Sequence, residues 1–227
     1  MEQLKRELRT ETLWRALPAE FLGTAVLVFC GVASALAWAG QQPPVLQVAL
    51  GFGLAVSAAS LFTQGVGAGH LNPAVSLALL VSLRISPLRA LLSALMQSLG
   101  SIAACALLQA LTPLHVRGEM GLNKPSAGVT QIQALVVEVI VTFQLVLCVF
   151  VISHKESHFE GSAQVALGVS VTLGHLVAIF WVGPLLGGVL AAIVYSSLLT
   201  PKRFRCGDCL SMWKTDAEPE HKVEAQP

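Results

Sequence analysis

The most specific group of residues that could do chemistry is the triplet Asn72-Pro73-Ala74, which follows a glycine-rich stretch from Gly65 to Gly69. Asparagine is a favourable N-cap and proline suits the first position of a helix, so the triplet predicts a helix start. Because apolar residues continue to Leu83, the pattern indicates a short half-helix whose positive end points into a membrane. The Asn72 amide would there donate a hydrogen bond to a passing water molecule. An ordinary surface turn is the alternative.

Two acids and one histidine stand in apolar surroundings. Glu20 and Glu138 lie near or within apolar runs, where each could be an acid at the membrane interface. They occupy equivalent positions of an internal repeat, however, which favours a paired role in accepting hydrogen bonds from re-entrant backbone. His175 is either a buried, hydrogen-bonded histidine or a donor that lines a pore. Phe52 taken alone is typical of a core residue.

The other candidate chemistry is weak. The sequence has no nucleophile–base pair and no metal-ligand cluster, so it predicts neither an enzyme nor a metal or cofactor site. Cys206 and Cys209 form a CxxC pair without a second pair at zinc spacing, which favours exposed thiols, with palmitoylation as the alternative. A net charge of +1, without a basic stripe that carries aromatics, argues against a nucleic-acid partner.

The composition is that of a membrane protein. Hydrophobic residues make up 54% of the chain and charged residues 12%. No Asp, Glu, Lys or Arg occurs from Phe21 to Leu83 or from Gly161 to Pro201. Since one transmembrane helix needs about 20 apolar residues, the sequence predicts an all-α protein that crosses a lipid bilayer several times.

Four separate spans are predicted, and a fifth apolar stretch is ambiguous. The stretch Ser162–Leu199 has 38 residues, which as one helix would measure about 57 Å, nearly twice the hydrocarbon core. It is too long for one span and has no polar turn to make two. The four predicted spans are Leu17–Trp38, Val45–Gln64, Leu88–Leu111 and Gln131–Ile152.

The distribution of basic residues predicts the orientation. Basic residues precede the first span, and Lys202, Arg203 and Arg205 follow the last apolar stretch. Because basic residues favour the cytoplasmic side, both termini are predicted to be cytoplasmic, which requires an even number of spans. We therefore expect Ser162–Leu199 to form a compressed hairpin that turns near Trp181-Val182-Gly183-Pro184. A single span is the alternative.

An internal repeat explains the unusual length of Ser162–Leu199. Ala19-Glu20-x-x-x-Thr24 matches Val137-Glu138-x-x-x-Thr142, and Val48-Ala49-Leu50-Gly51 matches Val165-Ala166-Leu167-Gly168, at offsets of 118 and 117 residues. Repeats with an odd number of spans are inverted in the membrane.

The third match, between Gln97-x-x-Gly100 and Pro184-x-x-Gly187, has an offset of only 87 residues. About thirty residues are thus missing from the second unit, most plausibly between Leu176 and Trp181, and the chain has no second Asn-Pro-Ala. The predicted regions are an N-terminus (1–16), a first unit (17–111), a connecting loop (112–130), a truncated second unit (131–200) and a tail (201–227).

Several of these motifs together resemble the water-selective branch of the aquaporin family. They are Trp14-Arg15-Ala16 with Ala19-Glu20-Phe21, Gly69-His70-Leu71-Asn72-Pro73-Ala74-Val75, Leu173-Gly174-His175-Leu176 and Phe180-Trp181-Val182-Gly183-Pro184. The resemblance implies six tilted spans with two half-helices that meet at paired Asn-Pro-Ala motifs, assembled as a tetramer of separate pores. It also implies passive water conduction, with the plasma membrane as the expected location.

The resemblance also implies roles for individual residues. Asn72, Pro73, Ala74, Phe52 and His175 would line the pore or its filter, and Glu20, Glu138 and His70 would brace the loops. The second motif, its half-helix and the filter arginine have no counterpart in this sequence. Conduction by this chain is therefore in doubt. The alternative is a non-conducting subunit that assembles with or interferes with an intact relative. The expected assembly is a homotetramer or a mixed oligomer with an intact relative, and retention in the endoplasmic reticulum is the alternative location.

Overall fold

The computed structural model describes residues 2–122, 128–153, 162–177 and 183–199. These residues form helices and turns and contain no strand, so the predicted all-α class is confirmed. In chain order, the helices are α1 (Glu2–Glu7), α2 (Glu11–Ser34), α3 (Val45–Thr63), α4 (Pro73–Val81), α5 (Pro87–Leu111), α6 (Leu114–Arg117), α7 (Gln131–Ile152), α8 (Ala163–Val177) and α9 (Gly183–Val194). A 3₁₀ turn, Gln64–Val66, follows α3, and a π-helical turn, Tyr195–Leu199, follows α9.

Four helices, α2, α3, α5 and α7, are long and apolar enough to cross a membrane. Helix α7 has the predicted bounds, but α2 begins at Glu11, six residues before the predicted Leu17. The reason is that Leu13 and Ala16 are buried, so the polar-looking first turns belong to the packed bundle. At its other end α2 stops at Ser34, and the indole of Trp38 donates to a carbonyl group of the last turn.

Helix α4 is the predicted half-helix. With nine residues it is about 13 Å long, too short to cross a hydrocarbon core of about 30 Å. It ends at Val81, and the N–H groups of Leu83 and Arg84 bond back to Leu80 and Leu79. This pattern closes a helix end and needs a left-handed residue. That residue is Leu83, with φ of 58°, a conformation that costs about 1–2 kcal/mol for a residue other than glycine.

The ambiguous stretch Ser162–Leu199 divides into α8 and α9, which have 15 and 12 residues. Gly183 and Pro184 were predicted to lie in a turn, but they form the first turn of α9. Proline is well tolerated there, because a first-turn N–H has no partner within the helix. Residues 178–182 and the tail from residue 200 lie outside the described residues. The hairpin turn and the cytoplasmic tail remain predictions.

Each repeat unit closes in the same way, by a glycine of its third helix packing on its first. A methyl group on Gly100 of α5 would touch the carbonyl oxygen of Phe21 in α2, and one on Gly187 of α9 would touch that of Val139 in α7. Phe21 and Val139 directly follow Glu20 and Glu138. The pairs that the repeat predicted from sequence are therefore equivalent in space.

The two units meet where α3 crosses α8. A Cβ atom on Gly168 would lie 2.6 Å from the carbonyl oxygen of Gly53, so backbone meets backbone at this point. Gly51, which the sequence repeat aligns with Gly168, packs on Ser34 of α2. The half-helix also joins the units, because a Cβ atom on Gly188 of α9 would lie 2.8 Å from the carbonyl oxygen at the start of α4.

Candidate pore-lining site

The centre of the site is the carboxylate of Glu20, which is completely buried. Its Oε1 atom accepts hydrogen bonds from the backbone N–H groups of Gly69 (2.8 Å) and His70 (2.9 Å). Its Oε2 atom accepts from the N–H of Leu71 (2.9 Å) and from Nε2 of Gln97 (2.7 Å). Hydrogen bonds to a charged acceptor are stronger than neutral ones, and four of them offset the loss of hydration of a buried charge.

This carboxylate holds the loop in a conformation that most residues avoid. Gly69 has φ of 108° and Leu71 has φ of 54°. A left-handed residue other than glycine costs about 1–3 kcal/mol and persists only where its surroundings fix it. Glu20 binds the three consecutive N–H groups of this segment. The strained backbone is therefore fixed immediately before the start of α4.

Asn72 is the N-cap of α4 and has an extended backbone with φ of −154°. Its side-chain oxygen accepts a hydrogen bond of 2.7 Å from the N–H of Ala74, and Pro73 occupies the first position of the helix. With the oxygen engaged in the cap, the NH₂ group is the part of the amide that can donate to a ligand. This arrangement suits the water-donor role predicted for Asn72, which stays a prediction.

Two polar residues of the site were not predicted. Ser76 of α4 and Gln97 of α5 are both buried, and Nε2 of Gln97 lies 3.1 Å from the Ser76 hydroxyl oxygen. The same hydroxyl lies 3.1 Å from Nδ1 of His70. The sequence signal that could have identified Gln97 is an amide side chain in the middle of an apolar helix. In the sequence analysis Gln97 was used only to align the two repeat units. A buried polar group in a membrane span usually binds another polar group.

The two predicted filter residues are together but leave no opening between them. The rings of Phe52 on α3 and His175 on α8 are stacked, with centroids 4.0 Å apart and planes 17° apart. This is van der Waals contact between ring atoms, so no water molecule fits between the faces. Gly31 of α2 lets the Phe52 ring lie there, because a methyl group on Gly31 would collide with it. Nδ1 of His175 lies 3.1 Å from the carbonyl oxygen of Val171.

Glu138 lies apart from this cluster, on α7, and is also buried. Its position beside the crossing of α7 and α9 is equivalent to that of Glu20 beside the crossing of α2 and α5. Within the described ranges, no three His, Cys, Asp or Glu residues are grouped so that they could hold a metal ion. Cys206 and Cys209 lie outside those ranges.

The two three-helix units and the braced re-entrant half-helix are the arrangement of a helical membrane channel. Accordingly, the family model described as major intrinsic protein matches residues 7–179. The chain belongs to this family.

Curated relatives match along nearly their whole length. The chain is 38% identical to Aquaporin-5 of Homo sapiens, with 98% of this chain and 95% of the relative covered. It is 34% identical to Aquaporin FA-CHIP of Pelophylax lessonae, with 96% of this chain and 94% of the relative covered. It is 38% identical to the lens fiber major intrinsic protein of Rattus norvegicus, with 92% and 90% covered.

The alignment with Aquaporin-5 also agrees with the predicted deletion. It runs over 252 positions but contains 98% of a chain of 227 residues. About 30 positions of this alignment therefore have no residue in this chain.

The fold agrees with a solved structure. The aquaglyceroporin from Plasmodium falciparum superposes with a TM-score of 0.72 over 84% of this chain and 98% of that one, at 19% identity. At this identity the similarity concerns the fold alone. With the four candidate spans, it identifies a multi-pass membrane protein with the aquaporin-like arrangement of two units.

Proposed function

We propose that this chain is a subunit of a passive water channel. The observation that carries the proposal is the re-entrant loop fixed by Glu20, with Asn72 at the start of α4. Two of the relatives described above are named aquaporins, which supports water as the permeant. As a member of a channel family, the chain is assigned no enzymatic activity.

The chemistry of the site suits a neutral, polar permeant. The N-terminal end of a helix carries a partial positive charge, so water near the start of α4 would turn its oxygen towards Asn72. The NH₂ group of Asn72 can then donate to that oxygen. The same fixed positive potential disfavours a cation. In this role His70 and Glu20 would hold the loop, and Phe52 and His175 would form the filter.

The chain alone is expected to conduct water weakly. It supplies one Asn-Pro-Ala half-helix, and only five residues separate α8 from α9. A second dipole and a filter arginine are therefore not available to complete the pore wall. Glu138, which would brace the second half-helix, is retained without that segment.

The test is osmotic shrinkage of liposomes that contain the purified chain, measured by stopped-flow light scattering. Shrinkage should be close to that of empty vesicles, whereas human Aquaporin-5 prepared in parallel serves as the positive control. Fast shrinkage with a low activation energy would show that this chain conducts water without its second half-helix.

A second candidate function is a non-conducting subunit that assembles with an intact relative. The direct stacking of Phe52 on His175 favours it, because these rings are in contact and do not face each other across an opening. The chain would then form a mixed tetramer with an intact aquaporin and would not form a homotetramer. The plasma membrane is the expected location, and retention in the endoplasmic reticulum is the alternative.

Co-expression in oocytes separates the two candidates. If the chain is an interfering subunit, it should co-purify with a tagged intact aquaporin and lower water flux in proportion to its dose. The same amount of an unrelated four-span membrane protein serves as the control for crowding of the membrane. Unchanged flux, with no co-purification, would remove this second candidate.

A further inference from the structure

Arg84 follows α4 and contacts two buried rings of the second unit. Its guanidinium carbon lies 4.6 Å from the centre of the Phe150 ring and 5.2 Å from that of Tyr195. Both rings are buried, and their centroids are 4.9 Å apart. Phe150 lies in the last turn of α7, and Tyr195 directly follows α9. One cation therefore joins the ends of three helices from both units.

We propose that Arg84 is a positioning residue that sets the depth of α4, and so of Asn72, in the membrane. A nine-residue helix that begins inside the bundle is a short rod, and its inner end moves whenever its outer end moves. Arg84 holds that outer end to α7 and to the turn after α9 by cation–π contact with their rings, an attraction that increases when the rings are desolvated. The proposal rests on the proposed function only in taking Asn72 as the residue whose depth matters.

The backbone at the end of α4 supports this assignment. Arg84 donates its N–H to the carbonyl oxygen of Leu79 at 2.8 Å, and Leu83 before it is left-handed with φ of 58°. A strained residue of this kind persists only where the structure on both sides fixes it. The backbone N–H of Arg84 bonds to α4, and its guanidinium contacts the rings of the second unit. Arg84 therefore fixes the chain on both sides of this strained residue.

The simpler interpretation is a basic residue that only marks the cytoplasmic side of the membrane. Lysine would serve that purpose equally well, because the positive-inside preference depends on charge. A planar guanidinium stacked on rings is not replaced by an ammonium group. Arg84→Lys therefore separates the two interpretations. Arg15→Ala is a matched control for loss of charge, because Arg15 is mostly exposed and pairs with the exposed Glu11 of its own helix.

The contact itself can be tested by NMR, since Tyr195 is the only tyrosine of the chain. Protein that carries tyrosine labelled with ¹³C at the ζ-carbon of the ring, placed in nanodiscs, should give one aromatic signal. The signal should shift in Arg84→Ala and in Arg84→Lys and stay unchanged in Arg15→Ala. An unchanged signal in Arg84→Ala would overturn the proposed contact.

The positioning role needs a measurement at the other end of α4. Hydrogen–deuterium exchange followed by mass spectrometry reports on the amides of residues 67–75, which include those that Glu20 binds. Their exchange should be about tenfold faster in both Arg84 variants, as expected for local opening after loss of a desolvated cation–π contact. Exchange in α5 should not change.

Three outcomes would overturn the proposal: unchanged exchange at residues 67–75, full rescue by Arg84→Lys, or an equal rise in α5 that shows destabilisation of the whole chain. Neither measurement depends on water flux. A failure of the water-channel proposal in liposomes can therefore be told apart from a failure of this one.

Discussion

The connection between the second and third helices differs greatly in the two units. In the first unit, 23 residues lie between α3 and α5, and they include the braced loop and α4. In the second unit, five residues lie between α8 and α9, too few for a loop and a half-helix. Yet Gly100 and Gly187 make equivalent helix crossings. The helix crossing and the re-entrant half-helix are therefore encoded by separate parts of a unit.

The contrast extends to the residues around the two buried acids. Gln97 of α5 donates to Glu20, whereas the repeat aligns Gln97 with Pro184, which has no side-chain donor. A loop that must be held inside a bilayer needs such donors and acceptors, because lipid supplies none. The first unit has retained the whole polar cluster, and the second has retained the acid at its helix crossing.

The largest effect is expected from restoring the missing segment. Insertion between Leu176 and Trp181 of about 30 residues taken from an intact relative, including an Asn-Pro-Ala-Arg, should raise liposome water flux from the empty-vesicle level to that of the relative. The physical reason is a second helix dipole and a complete pore wall. The control is an insertion of the same length and composition in scrambled order. A repaired chain that stays inactive would mean that the deletion is not the only defect.

The next largest effect is expected from Glu20→Gln, which replaces the acceptor of four hydrogen bonds. Buried N–H groups that lose a charged acceptor should lower the free energy of unfolding by about 2–4 kcal/mol. Unfolding of the purified protein in mixed micelles measures this change. Glu11→Gln, at an exposed position, should have almost no effect.

Glu138→Gln tests the comparison between the units directly. Glu20→Gln should speed hydrogen–deuterium exchange at residues 67–75 and Glu138→Gln should not, because the backbone N–H groups of Gly69, His70 and Leu71 bond to Glu20. Equal exchange at these residues in the two variants would contradict the contrast between the two acids.

A moderate effect is expected where the units meet. Gly168→Ala would place a methyl group 2.6 Å from the carbonyl oxygen of Gly53, so α3 and α8 must separate. Overpacking of this kind costs about 1–3 kcal/mol, which a lowered melting temperature in detergent should report. Gly65→Ala is the matched control, since nothing lies within 4 Å of its added methyl group. An unchanged melting temperature in Gly168→Ala would show that this crossing does not hold the units together.

The smallest effect is expected at the stacked rings and requires the repaired chain. His175→Gly removes one ring and one hydrogen-bond donor, so it should raise glycerol permeability relative to water permeability by several-fold. Stopped-flow measurements with both solutes give the ratio, and Phe52→Ala provides an independent change at the same place. An unaltered ratio in both variants would mean that these rings do not form the filter.

Much of the fold follows from sequence because apolar length and an internal repeat constrain it. The bounds of α7, the existence of α4 and the pairing of Gly100 with Gly187 could all be predicted. The start of α2 could not, because burial of Leu13 depends on the packing of α2 against elements that are distant in sequence. The same limit applies to the close approach of Gly168 to Gly53, because a repeat shows which residues are equivalent and does not show which residues touch.

The site was predicted less completely. A single buried amide such as Gln97 forms no sequence pattern. Its role in the site follows only from the fold, which brings Glu20 and Ser76 within hydrogen-bond distance of its side chain. The contact between Phe52 and His175 was also beyond sequence reasoning, because residues on separate helices can line an opening or close it with the same sequence. Distances between helices decide that question.

The glycine crossings have a consequence for synthesis of the chain on the ribosome. The crossing of the first unit closes a loop of 80 residues, from Phe21 to Gly100, and that of the second closes one of 49, from Val139 to Gly187. Because the entropy lost on closing a loop grows with the logarithm of its length, the second closure is easier by about 0.4 kcal/mol. The shortened unit thus meets a smaller entropic barrier to pairing its outer helices as it leaves the translocon.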